Sequence, residues 1–491
     1  MVGLRLSSRW PPSRIACESE VRHRPHQNGA LAWHRSVAAI RSRYREGHPE
    51  MRIDSLNSAE QKKFGACADP NLNSTAADKD RKACSHIPDR LNILHLGGFG
   101  RVWGMIKGFP SRSETERKRD ALDGVRGVAI TLVLLFHSLK VACGWIGVQM
   151  FFVLSGFLIT SILLQDSDLP LGFYLKRFYW RRSLRIFPLY FGYLLVMAIV
   201  YAITKTPAVF GRDWPYLLTY TLNFRRILPD FGTNIYYGRF WSLAIEEQFY
   251  LIWPLVIYLL PRKHFPTLVA TVLAICPIIR GITACLLTPI LHSPDLLGAA
   301  VYYLTPGQLD TFAVGAALLL LAKRLRGRSV TIFVGCTVLL LVCGQMKAVL
   351  TTGRLAIHTS LGYDVNMILA GQHIWGYTLI NIWSGALILT ALSRNWISAF
   401  LALPLTAYIG RISYGMYVYH QIILLAGYER FGNLINTPLG FICYFLCVVA
   451  LSDLSYRVYE SRFLALKNKR FNRAKSQPNI LAVSDITLVP S

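Results

Sequence analysis

Residues 122–164 read LDGVRGVAITLVLLFHSLKVACGWIGVQMFFVLSGFLITSILL. Two apolar runs, 125–142 and 145–164, are each long enough for a helix to cross about 30 Å of hydrocarbon. Only Cys143 and Gly144 lie between them, so the chain turns there and re-enters the bilayer. Working outward, the same pattern returns at 186–204, 241–260, 265–285, 303–322, 329–350, 373–392, 408–428 and 438–457. Two further apolar pieces, 214–224 and 396–405, are too short for a span and read as re-entrant or interfacial. The expected fold is all-α: a polytopic integral membrane helical bundle of about ten transmembrane helices.

Composition agrees. The chain has 491 residues, 53% of them hydrophobic and 16% charged, with mean hydropathy +0.35. A soluble chain of this length lacks the interior to hide so much apolar surface, whereas a bundle in lipid shows it outward. The formal charge of +26 does not point to nucleic acid, because Lys and Arg cluster between apolar runs and form no basic face. They point to topology. With the first span entering from the cytoplasm, the inner segments hold 19 Lys and Arg and the outer ones 7, which places both termini in the cytoplasm.

Residues 1–120 carry 22 Lys and Arg against 13 Asp and Glu among scattered Pro, Gly, Ser and Asn. They read as a basic, largely disordered extension, either lying on an anionic leaflet or partly an artefact of a start at Met51 or Met105. The bundle is expected over 121–465, followed by a basic cytoplasmic tail, 466–491. The ten cysteines have no metal-ligand spacing, and most sit in or beside apolar runs as small hydrophobes. No metal site is expected.

Polar groups inside spans are expensive and mark function by default. Arg126 and His137 are eleven residues apart, about 20° beyond three full helical turns, so they share a face and stand about 16 Å apart along the axis. That geometry suits an extended acyl thioester. Arg126 would hold a phosphate at the inner mouth, and a neutral His137 deeper in would take a proton from an incoming hydroxyl. In the fourth span, Glu246 and Glu247 match the depth of His137. One of them, with Glu247 slightly preferred, could orient the imidazole as a triad acid does. Asp310 with Gln308, and His420, are substrate contacts or packing groups. Asp123 is placed to cap the first span. Gly144, Gly147 and Gly156 with Ser155 offer a small-residue helix contact. The inner segment 173–188, FYLKRFYWRRSLRIFP, sets Lys176, Arg177, Arg181, Arg182 and Arg185 among apolar residues, as a topogenic basic loop or a surface for an anionic donor or lipid.

These residues carry a family resemblance. The opening from Leu122 to His137, with Arg126, ten intervening residues and His137, resembles that of the membrane acyltransferase 3 family. Gly147 to Phe157 is similar to the next motif, with Gln149 where an Asp is usual. Arg182 to Pro188 resembles the arginine-rich connection, and Trp241 to Tyr250 the acidic motif. Gln308 stands where many members have Arg, and Gly410 to His420 resembles the late motif ending in His. The resemblance covers about 121–465, and nothing after 465 suggests a further hydrolase-like domain.

It implies an inner-membrane O-acyltransferase. An acyl group, commonly acetyl, passes from cytoplasmic acyl-CoA, a co-substrate, with no bound cofactor, to a hydroxyl of a glycan, glycolipid or similar acceptor. His137 would act as base or transient acyl acceptor, with Glu247 or Glu246 orienting it. Arg126, Arg182 and Arg185 would bind donor, and Asp310, His420, Gln149 and Trp241 substrate. Expected partners are membrane lipids and the acceptor, with a homo-oligomer or polysaccharide-synthesis assembly compatible and nucleic acid excluded. The competing class is a transporter of a lipid-linked or anionic substrate, for which corresponding broken helices in two halves are the signature; no convincing repeat relates 121–285 to 303–457.

Overall fold

The structure is a computed structural model that describes residues 113–204, 212–228, 236–356, 360–365 and 367–469. The expectations for the leader and the tail therefore lie outside the described residues, except at their inner edges. Among the described residues every regular element is helical.

The first helix, α1 (Glu114–Ser138), starts earlier than the apolar run. Ser113 and Glu116 form a reciprocal capping box, with Ser113 Oγ accepting from the Glu116 amide at 3.2 Å and Glu116 Oε2 from the Ser113 amide at 3.0 Å. Asp123 is consequently mid-helix and pairs with Arg126, which corrects its expected role as a cap. Then follow α2 (Ile146–Asp166), α3 (Leu171–Thr204), the short α4 (Trp214–Leu218) and α5 (Leu222–Arg225), α6 (Trp241–Leu259), α7 (Phe265–Leu287) and α8 (Pro294–Tyr303). The chain continues through α9 (Leu309–Leu325), α10 (Ser329–Thr352), α11 (Gln372–Leu392), the short α12 (Trp396–Leu401), α13 (Pro404–Phe431), α14 (Pro438–Ser455) and α15 (Ser461–Lys469).

Seven helical segments among the described residues are long and apolar enough to cross a membrane. The expected sixth and seventh spans fall in one of these, Thr305–Thr352. The expected fourth and ninth spans form α6 and α13, which lie outside those seven. The pieces at 214–224 and 396–405 contain helices of only four to six residues, far short of a crossing. Large apolar side chains such as Leu195, Ile199, Leu251, Ile252, Val338 and Leu350 are exposed on the outside of the bundle, as lipid contact requires. The protein is thus a multi-pass membrane bundle.

The basic segment 173–188 is no separate loop. It is the first half of the 34-residue α3, with Pro188 accommodated inside the helix. No glycine or proline interrupts the run from Phe173 to Phe187, so the arginines are fixed on a rigid rod.

Close backbone approach sets the heart of the bundle. A methyl at Gly410 of α13 would lie 1.7 Å from the Asp123 carbonyl oxygen of α1, and one at Gly156 of α2 would lie 2.3 Å from the Phe312 carbonyl oxygen of α9. Only glycine permits these crossings. The expected small-residue contact surface of α2 is therefore present, although Ser155 departs from it by bonding the Tyr250 hydroxyl at 2.6 Å.

Candidate active site

Arg126 and His137 both turn inward from α1, toward two different cavities. The first, about 120 Å³, is lined by Arg126, Arg182, Arg185, Glu246, Ser155 and Tyr250, among others. Helix α3 delivers Arg182 and Arg185 three residues apart, on one face. Arg126 is bonded to Asp123, and Arg182 lies over the Tyr250 ring, 5.4 Å from its centroid. Neither Arg182 nor Arg185 forms an ion pair with a carboxylate among the described residues. Three guanidiniums thus converge on one partly open cavity that Glu246 alone offsets from its lining, an arrangement that favours a polyanion.

The second cavity, about 400 Å³, is lined by His137 with Arg226, Arg239, Trp241, Tyr302 and Gln421, among others. His137 Nδ1 is 2.8 Å from the Val133 carbonyl oxygen. A carbonyl only accepts, so Nδ1 carries the proton and, in the neutral ring, Nε2 keeps its lone pair. His420 repeats the device from α13. Its Nδ1 is 2.8 Å from the Tyr417 carbonyl oxygen, and its fully buried Nε2 has no partner. The two imidazole rings lie with centroids 5.0 Å apart, tilted by 58° to each other. A base with an open lone pair therefore stands in a cavity whose aromatic wall, Trp241 against Tyr302 at 4.8 Å between centroids, suits the flat apolar face of a sugar ring.

The sequence-derived residues divide into three groups. Arg126, Arg182, Arg185 and Glu246 meet in the first cavity, and His137, His420 and Trp241 meet in or beside the second. Gln149 and Asp310 belong to neither. Both are fully buried in a polar seam joining α2, α7, α9 and α11. Asp310 pairs with Arg280 at 3.0 Å and accepts from Thr378 and Asn381. Gln149 Nε2 donates to Gln308 Oε1 at 3.1 Å, and its Oε1 accepts from Thr311. These contacts join the helices of the seam, and they set Gln149 and Asp310 outside the lining of both cavities.

The acidic pair also differs from expectation. Glu246, not Glu247, lines the arginine cavity, and it faces the arginines instead of His137. The Val133 carbonyl occupies the place at Nδ1 that the sequence reading gave to a carboxylate. The cause is the start of α6: Trp241 already lies at the level of His137, and five residues of helix carry Glu246 about 7 Å further in. Glu247, 100° around the helix, leaves its Oε1 buried without a partner.

Sequence reasoning missed Arg226, Arg239, Tyr417 and Gln421. Arg239 donates to the carbonyls of Tyr236 and Tyr417 at 2.6 and 3.1 Å and also to that of Val418, fastening the start of α6 to α13. Tyr417 lies one helical turn before His420, a spacing that had a signal. Arg226 follows the four-residue α5, and nothing local in the sequence directs it to His137.

The acyltransferase domain family matches residues 119–457. The chain belongs to this family. Among curated relatives, a Staphylococcus aureus (strain MSSA476) protein named "Putative O-acetyltransferase SAS0844" is 26% identical over 378 residues, covering 73% of this chain and 59% of the relative. Peptidoglycan O-acetyltransferase OatA of Listeria monocytogenes is 31% identical over 211 residues, 40% of this chain and 33% of that protein. The chain therefore spans about three-fifths of the length of the first of these relatives. No solved structure matches it. The family match spans most of α1 through all of α14, and so contains both cavities of this acyltransferase domain.

Proposed function

We propose that the protein is a membrane O-acyltransferase that moves an acetyl group from cytoplasmic acetyl-CoA to a hydroxyl of a glycan or glycolipid. The excess of Lys and Arg on one side supports ten spans, α6 and α13 among them, with both termini in the cytoplasm and the arginine cavity open to that side of the inner membrane. The observation that carries the reading is that one face of α1 gives Arg126 to a guanidinium cluster, in which Arg182 and Arg185 have no carboxylate ion pair among the described residues, and His137, whose Nδ1 is held by a carbonyl, to the neighbouring cavity. The relatives named as O-acetyltransferases, one of them a peptidoglycan O-acetyltransferase, support the acyl group and the acceptor class.

Arg126, Arg182 and Arg185 hold the donor's phosphates by charge-assisted hydrogen bonds. The pantetheine arm spans the roughly 16 Å to His137. His137 Nε2 takes the proton of the acceptor hydroxyl as its oxygen forms a bond to the thioester carbon; the carbon–sulfur bond then breaks, and the imidazolium returns the proton to the departing thiolate. Trp241 and Tyr302 carry the sugar face. Comparing ester-linked acetate on cell-surface glycans between a deletion strain and its complemented parent tests the assignment. Loss of one ester, restored on complementation, is expected; identical ester profiles would contradict it.

A further inference from the structure

The two cavities are adjacent and have two lining side chains in common. Val148 of α2 and Tyr417 of α13 line both. The Tyr417 hydroxyl is the pin: it donates to the Arg239 carbonyl at 2.7 Å and pairs with Ser242 Oγ at 2.5 Å. Ser242 belongs to the arginine cavity and Arg239 to the histidine cavity, so this ring is held by one contact from each side. Its backbone carbonyl orients His420 and anchors Arg239. The wall common to two polar chambers, one at the middle of α1 and one at its end, therefore includes one aromatic ring and one valine, the ring fastened by hydrogen bonds that a side-chain rotation would break.

We propose that Tyr417, with Val148, is a movable partition that keeps water and protons of the histidine cavity out of the donor cavity until an acyl thioester displaces it, and so sets the ratio of transfer to hydrolysis. This rests on the proposed acyl transfer for its consequence, but the barrier itself stands on the shared wall. With the ring removed, water replaces the acceptor. Its oxygen bonds to the thioester carbon, the carbon–sulfur bond breaks, one proton goes to the thiolate, and acetate, free thiol and a proton are released.

The full chain in proteoliposomes separates the two ideas. Proton permeability is read with an entrapped pH-sensitive dye, and acetyl-CoA breakdown without acceptor is read as free thiol. Tyr417→Ala and Val148→Ala are each expected to raise proton leak, and Tyr417→Ala to raise acceptor-independent thiol release by about tenfold or more. Tyr417→Phe keeps the ring but loses the hydroxyl pin, so its leak should fall between wild type and Tyr417→Ala, a graded rescue that general loss of folding would not show. Leak and thiol release at wild-type levels in both alanine variants, in protein that elutes as a single species, would overturn the partition. Leaky variants alongside a wild-type protein that never consumes acetyl-CoA would leave the partition standing and remove the acyltransferase reading.

Discussion

Arg126 and His137 project from one face of α1 into adjacent cavities that share Val148 and Tyr417 as a wall. A single rigid helix thus fixes the distance between the group that would hold a donor's charged end and the group that would act at its reactive end. The consequences concern donor recognition, charge in the donor cavity and the scaffold that holds both.

Removing a donor arginine should act on affinity. Arg182→Ala is expected to raise the KM for acetyl-CoA by about 10- to 100-fold, the worth of a hydrogen bond to a charged group, with little change in kcat. The check is acetyl-pantetheine, which has no nucleotide phosphates: its KM should not move. An equal loss with both donors would mean that Arg182 does not hold the nucleotide.

Glu246 offers the opposite sign. It is the carboxylate that lines the arginine cavity, so Glu246→Gln should tighten acetyl-CoA binding by a few-fold as a repulsive charge disappears. Titration of the nanodisc-embedded protein with labelled donor reads this. Abolished transfer at unchanged donor affinity would instead give Glu246 a chemical role.

The Arg280–Asp310 pair is fully buried on both sides. Breaking it leaves an uncompensated charge, so Asp310→Ala should cost about 3–5 kcal/mol and lower the thermal midpoint in detergent. Asp310→Asn, which can keep contacts to Thr378 and Asn381, should lose less. An unaltered midpoint in both variants would show that the seam does not support the bundle.

Gln149 and Gln308, the two places where the chain departs from the motif pattern it resembles, bond to each other. A neutral pair here matches the absence of charge on either side. Gln149→Asp alone should destabilise by about 1–3 kcal/mol through a buried charge, and adding Gln308→Arg should recover part of that. A double-mutant cycle measures the coupling; independent effects would separate the two positions.

Much of this was legible in the residues. Apolar run length marked the helical membrane class, and eleven-residue spacing placed Arg126 and His137 on one face, because both signals are local and periodic. The level of Glu246 was not legible. It depends on where α6 begins, and the short turn at Gly238–Phe240 that sets this start has no apolar signature. Asp310 was singled out because it is ionisable within a span, but its partner Arg280 lies thirty residues earlier, and only the packing of α7 against α9 brings them together. Tyr417 had only its spacing from His420 as a signal; its place in the wall common to two cavities comes from packing.

The most direct test of the account is the rate at which the full chain in nanodiscs transfers label from acetyl-CoA to a glycan hydroxyl, compared between wild type and His137→Ala at matched donor occupancy. Loss of a general base at Nε2 predicts a fall of about 100- to 10,000-fold with acetyl-CoA binding retained. Transfer at the wild-type rate in His137→Ala would contradict it.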